Sequence, residues 1–219
     1  MFAIVTSVLA LLISIAGFSY TVFHDTKTDQ QTRRTALREQ IKFLINLDGN
    51  ANYVNAVAKE AFNLATSFPA DATSPEMIII GNALSHVFDS GRAERIMQLA
   101  IDHSDDPADE ARARRAWGSI LMFQKRFDEA DQQFNQAMKV NLNPRYKDKD
   151  DETLISTRNL WTLIQWANAL IDAKKYGEAK DKIRDAETTL LPHVADEFKT
   201  FALPDIEQAK KYLVSNGCN

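Results

Sequence analysis

Residues 117–137 read WGSILMFQKRFDEADQQFNQA, and residues 166–186 read WANALIDAKKYGEAKDKIRDA. Aligned without a gap, both stretches begin with a large apolar residue followed by a small one, Gly118 or Ala167. A leucine follows three positions after the small residue, and alanines follow twelve and nineteen positions after it. Residues 80–100 repeat these residue classes at the same spacing. Equal spacing in three stretches predicts a repeated structural unit.

Each unit has the pattern of two α-helices joined by a short turn, because apolar residues recur every three or four positions. Small residues at the predicted contact allow two antiparallel helices to approach closely, while larger apolar residues fill the space around it. A single pair of helices cannot bury its apolar face alone, and at least three stacked pairs are usually needed. The small residues are Gly81, Ala93, Gly118, Ala130, Ala167 and Ala179.

This pattern resembles the tetratricopeptide repeat (TPR), in which a helix with a small residue between large ones is followed by a helix with alanines and an aromatic residue. The resemblance covers about residues 74–193 and implies three TPR-like repeats. The first matching alanine in the second helix of each repeat is Ala93, Ala130 or Ala179. These alanines are separated by 37 residues and then by 49 residues. Since the TPR period is about 34 residues, we expect an inserted, solvent-exposed loop at residues 142–153. An unrelated helical bundle is the alternative.

The sequence around these repeats is also helical in pattern. A linker and a degenerate helical pair are expected at residues 25–73, and a capping helix at residues 194–219. Ser74 and Asp106 each precede a proline and are expected to cap a helix. Helices are predicted at about residues 28–47, 51–67, 75–89, 92–103, 108–124, 127–141, 154–173, 177–190, 193–202 and 205–214.

The N-terminal segment is predicted to span a membrane. Residues 1–23 contain no charged residue and no histidine, and a helix of this length extends roughly 35 Å, enough to cross a hydrocarbon layer of ~30 Å. The alternatives are a buried core helix and a cleaved signal peptide, of which the latter is less consistent with the missing basic residues and the long apolar run. Residues 1–24 are therefore expected to be a transmembrane anchor. Its small residues are suited to helix packing in the membrane: Ser7, Ser14 and Gly17.

Basic residues follow this segment, at Lys27, Arg33, Arg34, Arg38 and Lys42, and none precedes it. The positive-inside rule then places the part after the anchor in the cytoplasm. The layout is similar to that of anchored TPR proteins in bacterial inner membranes. The resemblance therefore implies a single-pass protein of the bacterial inner membrane.

Composition and motifs exclude several functions. The net charge of −4 argues against nucleic-acid binding, and the single cysteine excludes a multi-cysteine metal site. The sequence has no metalloprotease motif, no phosphate-binding glycine loop and no nucleophile elbow. No catalytic residues, metal site or cofactor are therefore expected, and the chain is not predicted to be an enzyme.

The resemblance implies a concave groove, lined by the first helix of each repeat, that binds an extended peptide or a helix of a partner protein. Arg112 and Arg115 would hold a carboxylate there, although arginines on a helix face are more often simply solvated. Trp161 either anchors an interface or packs under the 142–153 loop. The predicted groove residues are Asn82, His86, Arg112, Arg115, Ser119, Phe123, Trp161, Asn168 and Asp172.

The fold class expected from these observations is all-α, with an N-terminal transmembrane helix followed by a TPR-like solenoid of helical hairpins. The expected function is that of a membrane-anchored adaptor or scaffold for protein–protein interaction, as an accessory or assembly subunit of a multisubunit membrane complex. The alternative is an exported or periplasm-facing chaperone-like TPR protein.

Overall fold

The structure, a computed structural model, describes residues 27–46, 51–146 and 151–217. Within these ranges the chain is helical and contains no β-strand, so the all-α prediction is confirmed. The α-helices of this part of the chain are α1 (27–45), α2 (Ala51–Ser67), α3 (Ser74–His86), α4 (Ser90–Asp102), α5 (Pro107–Phe123), α6 (Phe127–Met138), α7 (Glu152–Asp172), α8 (Tyr176–Asp185) and α9 (Asp196–Ser215).

Helices α3 and α4, α5 and α6, and α7 and α8 form three antiparallel hairpins, each closed by a turn of three residues. The middle residue of each turn has a positive φ of 60–63°, and these residues are Phe88, Lys125 and Lys174. The first helices lie side by side, with α5 against both α3 and α7. Helix α2 packs on α3, and α9 packs on α7 and α8. The hairpins therefore stack, with their turns at one end.

Small residues lie where the two helices of a hairpin cross. A Cβ atom added to Gly118 would lie 2.8 Å from the Phe134 ring on α6. Phe134 is fully buried and stacks on Trp166 of the next hairpin, with ring centroids 5.2 Å apart. The glycine therefore allows α5 and α6 to approach around an aromatic ring that also joins two hairpins.

Side-chain caps begin several helices, and one of them differs from the prediction. Asp106 caps α5 as expected, since its carboxylate accepts a hydrogen bond from the Asp109 N–H at 2.8 Å. The cap of α3 is Thr73 rather than Ser74. Thr73 and Glu76 form a reciprocal capping box, in which Glu76 accepts from the Thr73 N–H at 2.8 Å. Ser74 lies inside the helix and is buried.

Part of the predicted inserted loop is not exposed. Residues Pro144–Tyr146 form a short 3₁₀ turn, and Tyr146 is buried, with its hydroxyl donating to the Ser104 carbonyl oxygen at 3.3 Å. Arg145 also donates to that oxygen. The stretch is mostly polar, so its sequence predicts an exposed loop. Its one aromatic residue, Tyr146, nevertheless fixes it to the preceding helices. Residues 147–150 lie outside the described ranges.

The predicted helix break near Pro204 is wrong, since α9 continues through this residue. A proline inside a helix removes one backbone hydrogen bond and crowds the preceding turn. Buried residues at intervals of three or four positions lie on both sides of Pro204 and hold the helix against the stack: Ala202, Ile206, Ala209 and Leu213. Burial of this continuous stripe outweighs the cost of the proline.

Helix α1 is fixed to the domain through Asp71, which lies between α2 and α3. The Asp71 carboxylate accepts from Gln30 at 2.8 Å and from Arg33 at 2.9 Å. Among the described residues, no helix has the length and apolar content needed to cross a membrane. The predicted anchor at residues 1–24, including Ser7, Ser14 and Gly17, lies outside the described residues.

Candidate partner-binding groove

The face formed by α3, α5 and α7 carries two adjoining depressions at the turn end of the hairpins, with volumes of about 490 and 280 Å³. They share Ser119 and Phe123, so they form one continuous groove, which we call the tip groove. Six of the predicted groove residues line it: Asn82, His86, Ser119, Phe123, Asn168 and Asp172.

Two exposed phenylalanines dominate the tip groove. Phe123 is 66% exposed and Phe88 is 79% exposed, and their ring centroids lie 6.0 Å apart. The sequence prediction included Phe123 but missed Phe88, which occupies a turn position outside the helical pattern. Large aromatic side chains in this degree of contact with water are often interface residues.

Positive charge lies beside the aromatic pair. Lys125 and Lys174, the middle residues of the second and third turns, line the larger depression together with Asp172. None of these three residues forms an ion pair with another described residue. Within the described part of the chain the groove therefore presents two unpaired ammonium groups against one carboxylate, although the chain as a whole has a net charge of −4.

The other predicted residues, Arg112, Arg115 and Trp161, lie in a second depression of about 530 Å³ at the opposite end of α5 and α7. We call this the arginine pocket. Arg158, which the prediction missed, is also there and is only 6% exposed, and Phe198 of α9 closes one side. The nine predicted residues thus form two groups rather than one cluster, because α5 and α7 are long enough to separate their ends.

The environment of Arg115 disfavours its charge. Burial, followed by repulsion from Arg112 and Arg158, lowers the pKa of the Arg115 guanidinium to about 10. Arg112 is different, since it is largely exposed and pairs with Asp109 at 3.1 Å, as a residue of a solvated helix face does. Trp161 is half-buried beside these arginines.

A chain of hydrogen bonds joins the arginine pocket to the tip groove. Arg115 Nε donates to Gln165 Oε1 at 3.2 Å, and Gln165 Nε2 donates to Ser119 Oγ at 3.4 Å. Arg115 also donates to the buried hydroxyl of Thr162 at 3.4 Å. These bonds cross from α5 to α7, so both sites belong to one polar face of the stack.

Comparison with protein-family models, with curated proteins and with solved structures finds no match to this chain. Its function must therefore be argued from its own residues. Within the described ranges, no three His, Cys, Asp or Glu side chains are grouped so as to hold a metal ion.

Proposed function

We propose that this protein is a membrane-anchored, TPR-like adaptor that holds a partner protein on the face formed by α3, α5 and α7. Its role would be that of an accessory or assembly subunit of a membrane protein complex. The observation that carries the proposal is the tip groove, where aromatic rings exposed to water adjoin polar side chains from three successive hairpins.

The polar side chains suit recognition of a peptide backbone. Asn82, Ser119 and Asn168 each follow the small residue of their repeat, so they occupy equivalent positions on adjacent helices. The two asparagines are exposed, and an amide side chain both donates and accepts hydrogen bonds. A row of such groups across the first helices supports binding of an extended segment along the groove.

The arginine pocket supports the same proposal at the other end of this face. Burial and the neighbouring Arg112 and Arg158 together lower the pKa of Arg115, and a negatively charged group of the partner would relieve the repulsion among the arginines. Guanidinium groups bind carboxylates through paired N–H donors. The partner would then contact both ends of α5.

The proposed anchor would make even weak groove contacts effective, because confinement to one membrane raises the local concentration of the two proteins. The Asp71 contacts hold α1 on the stack.

The experiment that tests the adaptor proposal is quantitative affinity capture of the full-length, detergent-extracted protein from its own cells. Wild type is compared with the Asn82→Ala, Asn168→Ala double variant and with Gln132→Ala, an exposed residue on α6 outside the groove. We expect a partner that is captured by wild type and Gln132→Ala and is reduced at least tenfold in the double variant. Equal recovery with all three proteins would contradict the groove as the binding site.

The cytoplasmic location is tested separately by a green fluorescent protein fused after Asn219. Fluorescence at the membrane is the expected result. A dark fusion together with an active alkaline phosphatase fusion at the same position would favour the exported, chaperone-like alternative.

A further inference from the structure

The two exposed phenylalanines of the tip groove are not required by the fold. Phe88 occupies the position that Lys125 and Lys174 occupy in the other two turns, all three with the same positive φ. Phe123 lies five residues after Gly118, and the equivalent residues of the other hairpins are His86 and Asp172. Polar side chains therefore satisfy both positions elsewhere in the same stack.

The backbone conformation at Phe88 strengthens the argument that the fold does not require a phenylalanine at this position. Its φ of 60° lies in the left-handed region, which is unfavourable for a bulky residue. A phenylalanine that is strained and almost fully exposed stabilises neither its turn nor the core. Its contact with Phe123 instead builds an exposed apolar patch.

The larger depression beside Phe123 has room for an apolar side chain. Its floor is formed by Met122 and Ala169, both buried, and its wall by Phe127. The volume of about 490 Å³ lies within the usual range of binding pockets, roughly 300–1,000 Å³. A leucine or an aromatic residue of a partner fits a site of this size and lining.

The charges around the larger depression favour acidic residues next to the partner's apolar side chain. Lys125 and Lys174 line the site without an ion-pair partner among the described residues, and Asp172 is the acidic residue that faces them. Carboxylates on the partner would find two ammonium groups, whereas a basic segment would meet net repulsion.

The tip groove lies at the opposite end of α3 from the first turn of α1. Gln30 in the first turn of α1 contacts Asp71 just before α3, and Phe88 lies just beyond the far end of α3. A helix of 13 residues separates the two ends by roughly 20 Å.

We propose that the tip groove binds a segment of a partner protein in which a bulky apolar side chain is flanked by Asp or Glu. The apolar side chain enters the depression beside Phe123 and contacts Phe88, and the acidic residues pair with Lys125 and Lys174. This inference rests on the proposed adaptor function and adds the chemistry of the partner to it.

The test is selection of a phage-displayed library of random dodecapeptides on the immobilised full-length protein in detergent, followed by affinity measurement with the selected peptides, fluorescently labelled. We expect peptides with a Phe, Trp or Leu next to acidic residues. Phe123→Ala and Phe88→Asn should each weaken binding at least tenfold. Phe88→Asn removes the ring without adding a charge, and asparagine tolerates the left-handed backbone of this turn, so the variant preserves the fold. Phe201→Ala is the matched control, because Phe201 on α9 is also 66% exposed.

Charge reversal tests the acidic part of the proposal. Lys125→Glu and Lys174→Glu should each weaken the same peptides about tenfold and reduce the salt dependence of binding, whereas Lys211→Glu on the exposed side of α9 should not.

Selected peptides that are basic, that lack a bulky apolar residue, or that bind Phe123→Ala as tightly as wild type would overturn this inference. If those peptides nevertheless failed to bind the Asn82→Ala, Asn168→Ala variant, the adaptor proposal would stand and only the inference about the partner's chemistry would fall. Enrichment of no peptide above background would contradict both proposals. Self-association of the protein that Phe88→Asn abolishes would assign the groove to a second copy of this chain and would also overturn the inference.

Discussion

Replacing Gly118 by alanine is expected to destabilise the protein, because the added methyl group meets an aromatic ring that cannot move. The new Cβ would lie 2.8, 2.9 and 3.1 Å from three carbons of the Phe134 ring, whereas carbon atoms pack best at about 3.5–4.0 Å. Phe134 is fully buried, and its stacking on Trp166, with planes only 8° apart, blocks a shift away from α5.

The magnitude follows from two opposing effects. Overpacking of a rigid core site costs about 2–3 kcal/mol, and the better helix propensity of alanine returns about 1 kcal/mol. The net loss of unfolding free energy should be about 1–2 kcal/mol. For a chain of this size, 1 kcal/mol corresponds to about 2–4 °C, so the Tm should fall by about 2–8 °C.

The assay is thermal unfolding of the full-length protein in mild detergent, followed by circular dichroism at 222 nm. Gly177→Ala is the matched control, since Gly177 also lies in a helix but no atom lies within 4 Å of its added Cβ. Its Tm should stay the same or rise by a few degrees. A Gly118→Ala variant as stable as wild type would refute the close approach of α5 and α6 on which the hairpin stack depends.

Three further changes test other contacts. Asp71→Asn should lower the free energy of unfolding at pH 7 by about 1–3 kcal/mol in urea titrations. The hydrogen bonds from Gln30 and Arg33 outweigh burial and lower the pKa of Asp71 below its ordinary value of 3.8, so the difference from wild type should persist above pH 3.8 and shrink as the pH falls below it. A pH-independent difference would contradict this origin. Tyr146→Phe should lower the free energy of unfolding by about 1 kcal/mol in the same titrations, because the hydroxyl loses its hydrogen bonds with Ser104 and Glu110. An unchanged stability would mean that these bonds contribute nothing. Arg115→Met should leave the Tm unchanged or raise it, because the charged guanidinium is disfavoured where it lies, while lowering partner capture; a large fall in Tm would make Arg115 a structural residue instead.

The hairpins could be predicted because their decisive contacts are local in sequence. Gly118 and Phe134 face each other across a short turn, so their spacing recurs in each repeat and is visible without a structure. The continuation of α9 through Pro204 could not be predicted in this way. It depends on a buried stripe whose partners, on α7 and α8, are distant in sequence.

The candidate site was predicted in part for the same reason. Asn82, Ser119 and Asn168 follow the repeat spacing, and the structure places them on one face. Phe88 was missed because a turn pattern gives neither the exposure of a side chain nor its contact with Phe123. Arg158 was missed because its closeness to Arg115 arises from the packing of α5 against α7, which periodicity within one helix does not describe.

Photo-crosslinking in the native cells tests most directly whether the face of α3, α5 and α7 binds a partner. A photoreactive amino acid is placed at Asn168 in the tip groove and, for comparison, at Gln132 on the exposed side of α6. We predict a discrete crosslinked product with one partner protein from position 168 and none from position 132. A product from position 132 alone, or none from either position, would contradict the account.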